Sequence, residues 1–138
     1  MSLFPNQEKP KIPKRENSKA KEVFAFFGLC MYNLQVFERG CVNLAVGLKI
    51  RDLTKLSEKD FKNLFNKMSQ KTLGQLISDV RNFVKISKQL EKDMNQLLQK
   101  RNYIVHRFFV KHDIDFMSSN GRVDMIEELR KITKNTQI

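Results

Sequence analysis

A chain of 138 residues with 41% hydrophobic content can bury one ordinary core and falls in the size range of a single domain. Lys and Arg number 26 against 15 Asp and Glu, a formal net charge of +11. A polyanion such as RNA is therefore an expected partner, although Lys-rich solvated helix faces give the same count. The most apolar stretch, Val23 to Phe37, contains Asn33 and Gln35 and falls short of the ~20 apolar residues of a membrane span, so no membrane partner is expected.

Residues 1–18 hold Pro5, Pro10 and Pro13 among polar and basic side chains. That composition predicts a flexible basic arm. Lys9, Lys11, Lys14 and Arg15 could touch RNA there, or the arm is simply a solvated terminus. The polar start carries no signal-peptide pattern, so a cytoplasmic location is expected. A single helical-bundle domain is expected over 19–135.

From Lys19 to Ile50 the pattern becomes helical. Phe27, Cys30, Leu34, Phe37, Cys41, Leu44 and Leu48 are spaced alternately three and four, an unbroken heptad seam. Val23, Phe24, Met31 and Ala45 widen it, as a helix inside a bundle or at a dimer interface requires. The Phe-rich seam of Phe24, Phe26, Phe27 and Phe37 reads as core. Cys30 and Cys41 lie about 16 Å apart along that helix, beyond the ~7 Å between Cα atoms that a disulfide spans. Buried, reduced thiols are expected. With no CxxC and no Cys/His cluster in the sequence, neither a metal nor another cofactor is expected.

Residues 51–56 read as a connection. Ser57 with Asp60 forms a capping-box pattern ahead of Phe61, Leu64, Phe65 and Met68, a short second helix. Thr72 can cap a third helix whose face carries Leu73, Leu76, Ile77, Val80 and Val84. A fourth runs from about Ser87 to Val110. Asn120-Gly121 reads as a turn, followed by a short amphipathic helix through Val123, Ile126, Leu129 and Ile132. No segment alternates with period two, so no strand is predicted.

The fourth helix carries the chemistry. On a helical wheel Arg101 falls at the centre of a stripe made by Leu90, Met94, Leu97, Leu98, Ile104, Val105 and Phe108. A buried cation needs a counter-charge, a ligand phosphate or water. Glu38 in the long first helix is the candidate counter-charge, so Arg101 reads either as a structural ion pair or as a phosphate-binding group. Asn102 and His106 lie one turn apart on one edge of the stripe, where their side chains can share a pocket. Arg offers a planar fork for phosphate oxygens, and His exchanges a proton near neutral pH. His106 could equally be an ordinary edge residue. Tyr103 falls on the opposite side and reads as surface or dimer contact, and His112 as a helix-end or turn residue.

Arg101-Asn102-x-x-x-His106 resembles the Arg-x(4–6)-His motif of the HEPN superfamily. The stretches Lys71 to Ile77 and Arg101 to Phe109 are also similar to small bacterial HEPN-like proteins. The resemblance implies an all-α fold, an up-and-down four-helix bundle with a short extra C-terminal helix, that forms a homodimer and so brings two motifs together. It implies a metal-independent endoribonuclease, in many members a toxin or antiviral effector, with an antitoxin protein as a possible partner. RNA would be cleaved by attack of the 2′-OH, with Arg101, Asn102 and His106 as the catalytic set and Glu38 in support. In some members the motif continues to a Tyr that a nucleotidyltransferase modifies; here Phe108 stands at that position, which leaves no acceptor for that control. The same bundle and pocket would also suit a non-catalytic RNA- or nucleotide-binding module, or a protein-interaction module whose charge is incidental.

Overall fold

The computed structural model describes residues 11–51, 57–83 and 85–136. Pro5, Lys9 and Pro10 of the expected arm, the connection at 52–56 and Val84 lie outside the described residues. Among the described residues every regular element is helical: α1 (Ala20–Arg51), α2 (Glu58–Ser69), α3 (Leu73–Phe83), α4 (Lys88–His106), α5 (Phe108–Lys111), a 3-10 turn at Asp115–Met117, and α6 (Ser119–Thr136). The expected all-α class is what forms. No helix among these residues is long and apolar enough to cross a membrane.

Local chemistry starts the helices where the sequence predicted. Ser57 and Asp60 form the reciprocal capping box of α2. Thr72 and Gln75 do the same for α3, with the Thr72 N–H donating to Gln75 Oε1 at 2.9 Å and the Gln75 N–H to Thr72 Oγ1 at 3.2 Å. Ser87 Oγ accepts the Leu90 N–H at 3.1 Å at the start of α4. Each cap satisfies amides that the first helical turn leaves without partners, a contribution of about 1 kcal/mol.

The residues form two compact units. The first takes in 11–35 and 99–136. Its core joins Val23, Phe26, Cys30 and Leu34 of α1 to Ile104 of α4, Phe108 of α5 and Met125, Ile126, Leu129 and Ile132 of α6. The second lies between 36 and 98. There α1 buries Cys41, Val42, Ala45 and Val46 against Met68, Leu73, Leu76, Ile77 and Met94. Each unit thus takes its own length of α1. A strict heptad stripe also drifts around a straight helix, and the seam position Leu44 is left 40% exposed. Phe24, expected in the core, is 55% exposed and rests its ring 6.0 Å from Phe109 and 5.5 Å from Phe116.

Residues 11–18, the described part of the expected arm, are fastened to the first unit. The Glu22 carboxylate accepts the backbone N–H groups of Glu16, Asn17 and Ser18. Arg122 Nε donates to the Ser18 carbonyl at 2.7 Å and Arg130 Nε to the Pro13 carbonyl at 3.0 Å. Ser18 is buried with φ of 57°, in the left-handed region. These bonds offset the cost of that conformation.

Two helix boundaries differ from the sequence reading. The fourth helix was expected to run unbroken to Val110, but it ends at His106, because Arg107 adopts φ −127° and ψ −20°. Phe108, just past the break, is fully buried, its ring 5.9 Å from Phe27. The final helix is not short. Asn120 and Gly121 lie inside its first turn, and Ser118 Oγ caps it by accepting the Gly121 N–H at 3.0 Å.

Candidate functional site

The last two turns of α4 and the residue after them line an open groove of about 560 Å³, formed by Gln99, Asn102, Tyr103, His106 and Arg107. Asn102 and His106 are exposed, one turn apart on one helix face. The pairing read from their spacing is therefore present. Arg101 is half-buried, and its Nη1 donates to Asn102 Oδ1 at 3.2 Å. The guanidinium thus reaches the groove through the amide.

The apolar stripe of α4 is narrower than the sequence predicts. Met94, Leu97 and Ile104 are buried, but Leu90 and Val105 are 48% and 38% exposed. The buried face is turned away from the Val105 side. That turn leaves Asn102 and His106 in solvent and leaves Tyr103, at the inner side of the same groove, half-buried. Tyr103 is half-buried against the first core, a correction to its reading as a surface residue. Its hydroxyl donates to Glu128 Oε1. Burial first, and then the bond to and charge of Glu128, raise the tyrosine pKa, so Tyr103 stays a protonated donor.

Glu128 also faces His112. His112 is the C-cap residue of α5, its backbone N–H donating to the Phe108 carbonyl, as expected of a helix-end residue, but its ring is buried and both ring nitrogens are engaged. Nδ1 lies 2.8 Å from Asp115 Oδ2 and Nε2 lies 2.6 Å from Glu128 Oε2. The ring packs 4.9 Å from Phe108. Lys111 Nζ approaches Glu128 Oε1 at 3.9 Å and sits 5.5 Å above the Tyr103 ring.

The two histidines therefore differ in kind. His106 is free to meet a ligand, and His112 is held on both sides. Sequence reasoning missed Tyr103, Asp115 and Glu128. The available signals were the i, i+3 spacing of His112 and Asp115, and an acid at 128 among the buried α6 residues Met125, Ile126 and Leu129. Glu38 belongs to the second unit, where its charge adds to burial in raising the Cys41 thiol. Among the described residues no group of His, Cys, Asp and Glu is arranged to hold a metal ion.

Residues 6–136 match the family model described as RiboL-PSP-HEPN. No curated protein and no solved structure matches the chain.

Proposed function

The chain belongs to the RiboL-PSP-HEPN family, within the HEPN superfamily, and on that premise we propose that it is a metal-independent endoribonuclease working at the α4 groove. The observation that carries this reading is the exposed Asn102–His106 pair in one groove, with Arg101 bonded to Asn102. A proton-exchanging ring, an amide and a guanidinium within one helical turn suit a phosphodiester. Arg107 in the groove wall adds a second cation.

In the reaction the ribose 2′-oxygen attacks phosphorus and the 5′-oxygen of the next nucleotide leaves. One base takes the 2′-OH proton and one acid protonates the leaving oxygen. The products are a 2′,3′-cyclic phosphate and a 5′-hydroxyl. His106 supplies one of these roles, and Arg101 with Asn102 stabilises charge on the phosphoryl oxygens. One exposed imidazole per groove leaves the other role to a second copy of the chain, so a homodimer is the working form.

The test is cleavage of a labelled RNA in excess chelator by wild-type protein and His106→Ala. Loss of a positioned acid or base lowers the rate by about 10²–10⁴-fold. RNA binding survives, because it rests on Lys and Arg contacts to phosphates and weakens with salt. Wild-type protein that binds RNA yet yields no cyclic-phosphate product above the His106→Ala control would make this a binding module instead.

A further inference from the structure

The Asp115–His112–Glu128–Tyr103 chain joins four separate pieces of the first unit: the 3-10 turn, the end of α5, α6 and the last turns of α4. Its three contacts run from the Tyr103 hydroxyl to Glu128 and from the two ring nitrogens of His112 to Glu128 and Asp115. Lys111 is the further charged group facing Glu128. The buried ring nitrogens of His112 are both matched, so they escape the penalty of unpaired buried polar atoms. Stability alone is a poor reason for such a cluster. Buried ion pairs are commonly matched or bettered by well-packed apolar side chains.

The output of the chain lands on the groove. Tyr103 and His106 are three residues apart on α4, neighbours on the helix surface, and both line the groove. The tyrosine ring stands edge-on to Phe108, with centroids 6.2 Å apart, while its hydroxyl is fixed by Glu128. Glu128 is in turn fixed by His112. We infer that His112 is a positioning residue for the His106 groove: by holding Glu128 on the Tyr103 hydroxyl it fixes the groove wall beside His106. His112 itself exchanges no proton with RNA, since both its nitrogens are occupied and the ring is buried. The catalytic part of this inference rests on the endoribonuclease reading, while the fixing of the groove wall does not.

The test uses Tyr103→Phe, Glu128→Gln and His112→Gln, with two readouts. The first is RNA cleavage: kcat falls roughly 10- to 100-fold while KM stays within about twofold, the pattern of a misplaced reacting group rather than a lost binding contact. The second is the Cε1–H resonance of His106 in the NMR spectrum, assigned with His106→Ala. It moves in all three variants. Tyr103→Phe removes one oxygen and keeps the ring packing, so it decides the matter if His112→Gln fails to fold. Folded Tyr103→Phe protein with the wild-type kcat and an unmoved His106 resonance would overturn the inference. Wild-type protein that cuts no RNA sinks the nuclease reading alone. In that event a moved resonance upholds the fixing of the groove wall, and an unmoved one refutes it.

Discussion

Gly121 gives the sharpest test of how α6 is seated. A Cβ built there would overlap the carbonyl oxygen of Asp115 and lie 2.6 Å from its carbonyl carbon, where ordinary contact begins near 3.4 Å. The obstacle is backbone, so the 3-10 turn must move by about 1 Å to admit a methyl group. Gly121→Ala gains about 1 kcal/mol from helix propensity. Against that stand overpacking at the upper end of its usual 1–3 kcal/mol and the strained Asp115–His112 bond, at about 1–2 kcal/mol. The net expectation is a loss of about 2–4 kcal/mol, or roughly 6–15 °C in Tm for a chain of this size. Gly28→Ala is the matched control. Nothing lies within 4 Å of its added Cβ, so it should stabilise by about 0.5–1 kcal/mol. Urea and thermal unfolding followed by circular dichroism read both. A Gly121→Ala protein as stable as wild type, or one shifted in the same direction as Gly28→Ala, would refute the close approach of α6 to the 3-10 turn.

Burial lifts the Cys30 thiol to about 11 even though the Thr133 hydroxyl works against it, and burial with the Glu38 charge lifts Cys41 to about 12. Both therefore stay protonated at pH 8, and Ellman's reagent should find neither in native protein and both in guanidinium; rapid native reaction would contradict the burial. Desolvation opposes the charge on Glu22, but the N–H groups of Glu16, Ser18 and Asn17 together with Arg15 outweigh it and lower the pKa. A lowered folded pKa means that the strap's contribution is fully present above the ordinary carboxylate range and is lost as pH falls through the lower folded value. Amide exchange at residues 16–18, corrected for its intrinsic pH dependence, should lose protection selectively on acidification and show no such step in Glu22→Gln.

Helix positions and caps were legible because their causes are local. Ser57, Thr72 and Ser87 each act within three residues, and the 3.6-residue period marks α1 and α4 without any knowledge of their neighbours. The Asn102–His106 pair was legible for the same reason, since a one-turn spacing fixes a shared face. Features made by distant partners were not. The strap at 11–18 looks like a loose arm until Arg122 and Arg130, more than a hundred residues on, are seen to hold it. Asn120-Gly121 carries a turn signal, yet the glycine is there for a close backbone approach within a helix. The inward flank of Tyr103 depends on which side of α4 meets α6, and that is settled by packing rather than by period.

The break at Arg107 shows how one local departure organises the whole site. A helix continued to Val110 would have kept His106 in mid-helix and carried His112 past its end on the face of Arg101. Ending α4 at His106 leaves that imidazole exposed at a helix terminus, bordered by the Arg107 side chain. Beyond the break Phe108 lies in the core, and His112 meets Glu128 of α6 sixteen positions away. Glu128 then reaches back to Tyr103, one turn before the break. The exposed histidine and the buried one thus stand on either side of a single backbone change at Arg107. A site of this kind puts the accessible ring where a ligand can reach it, and buries the second ring, His112, among the groups that hold the groove wall.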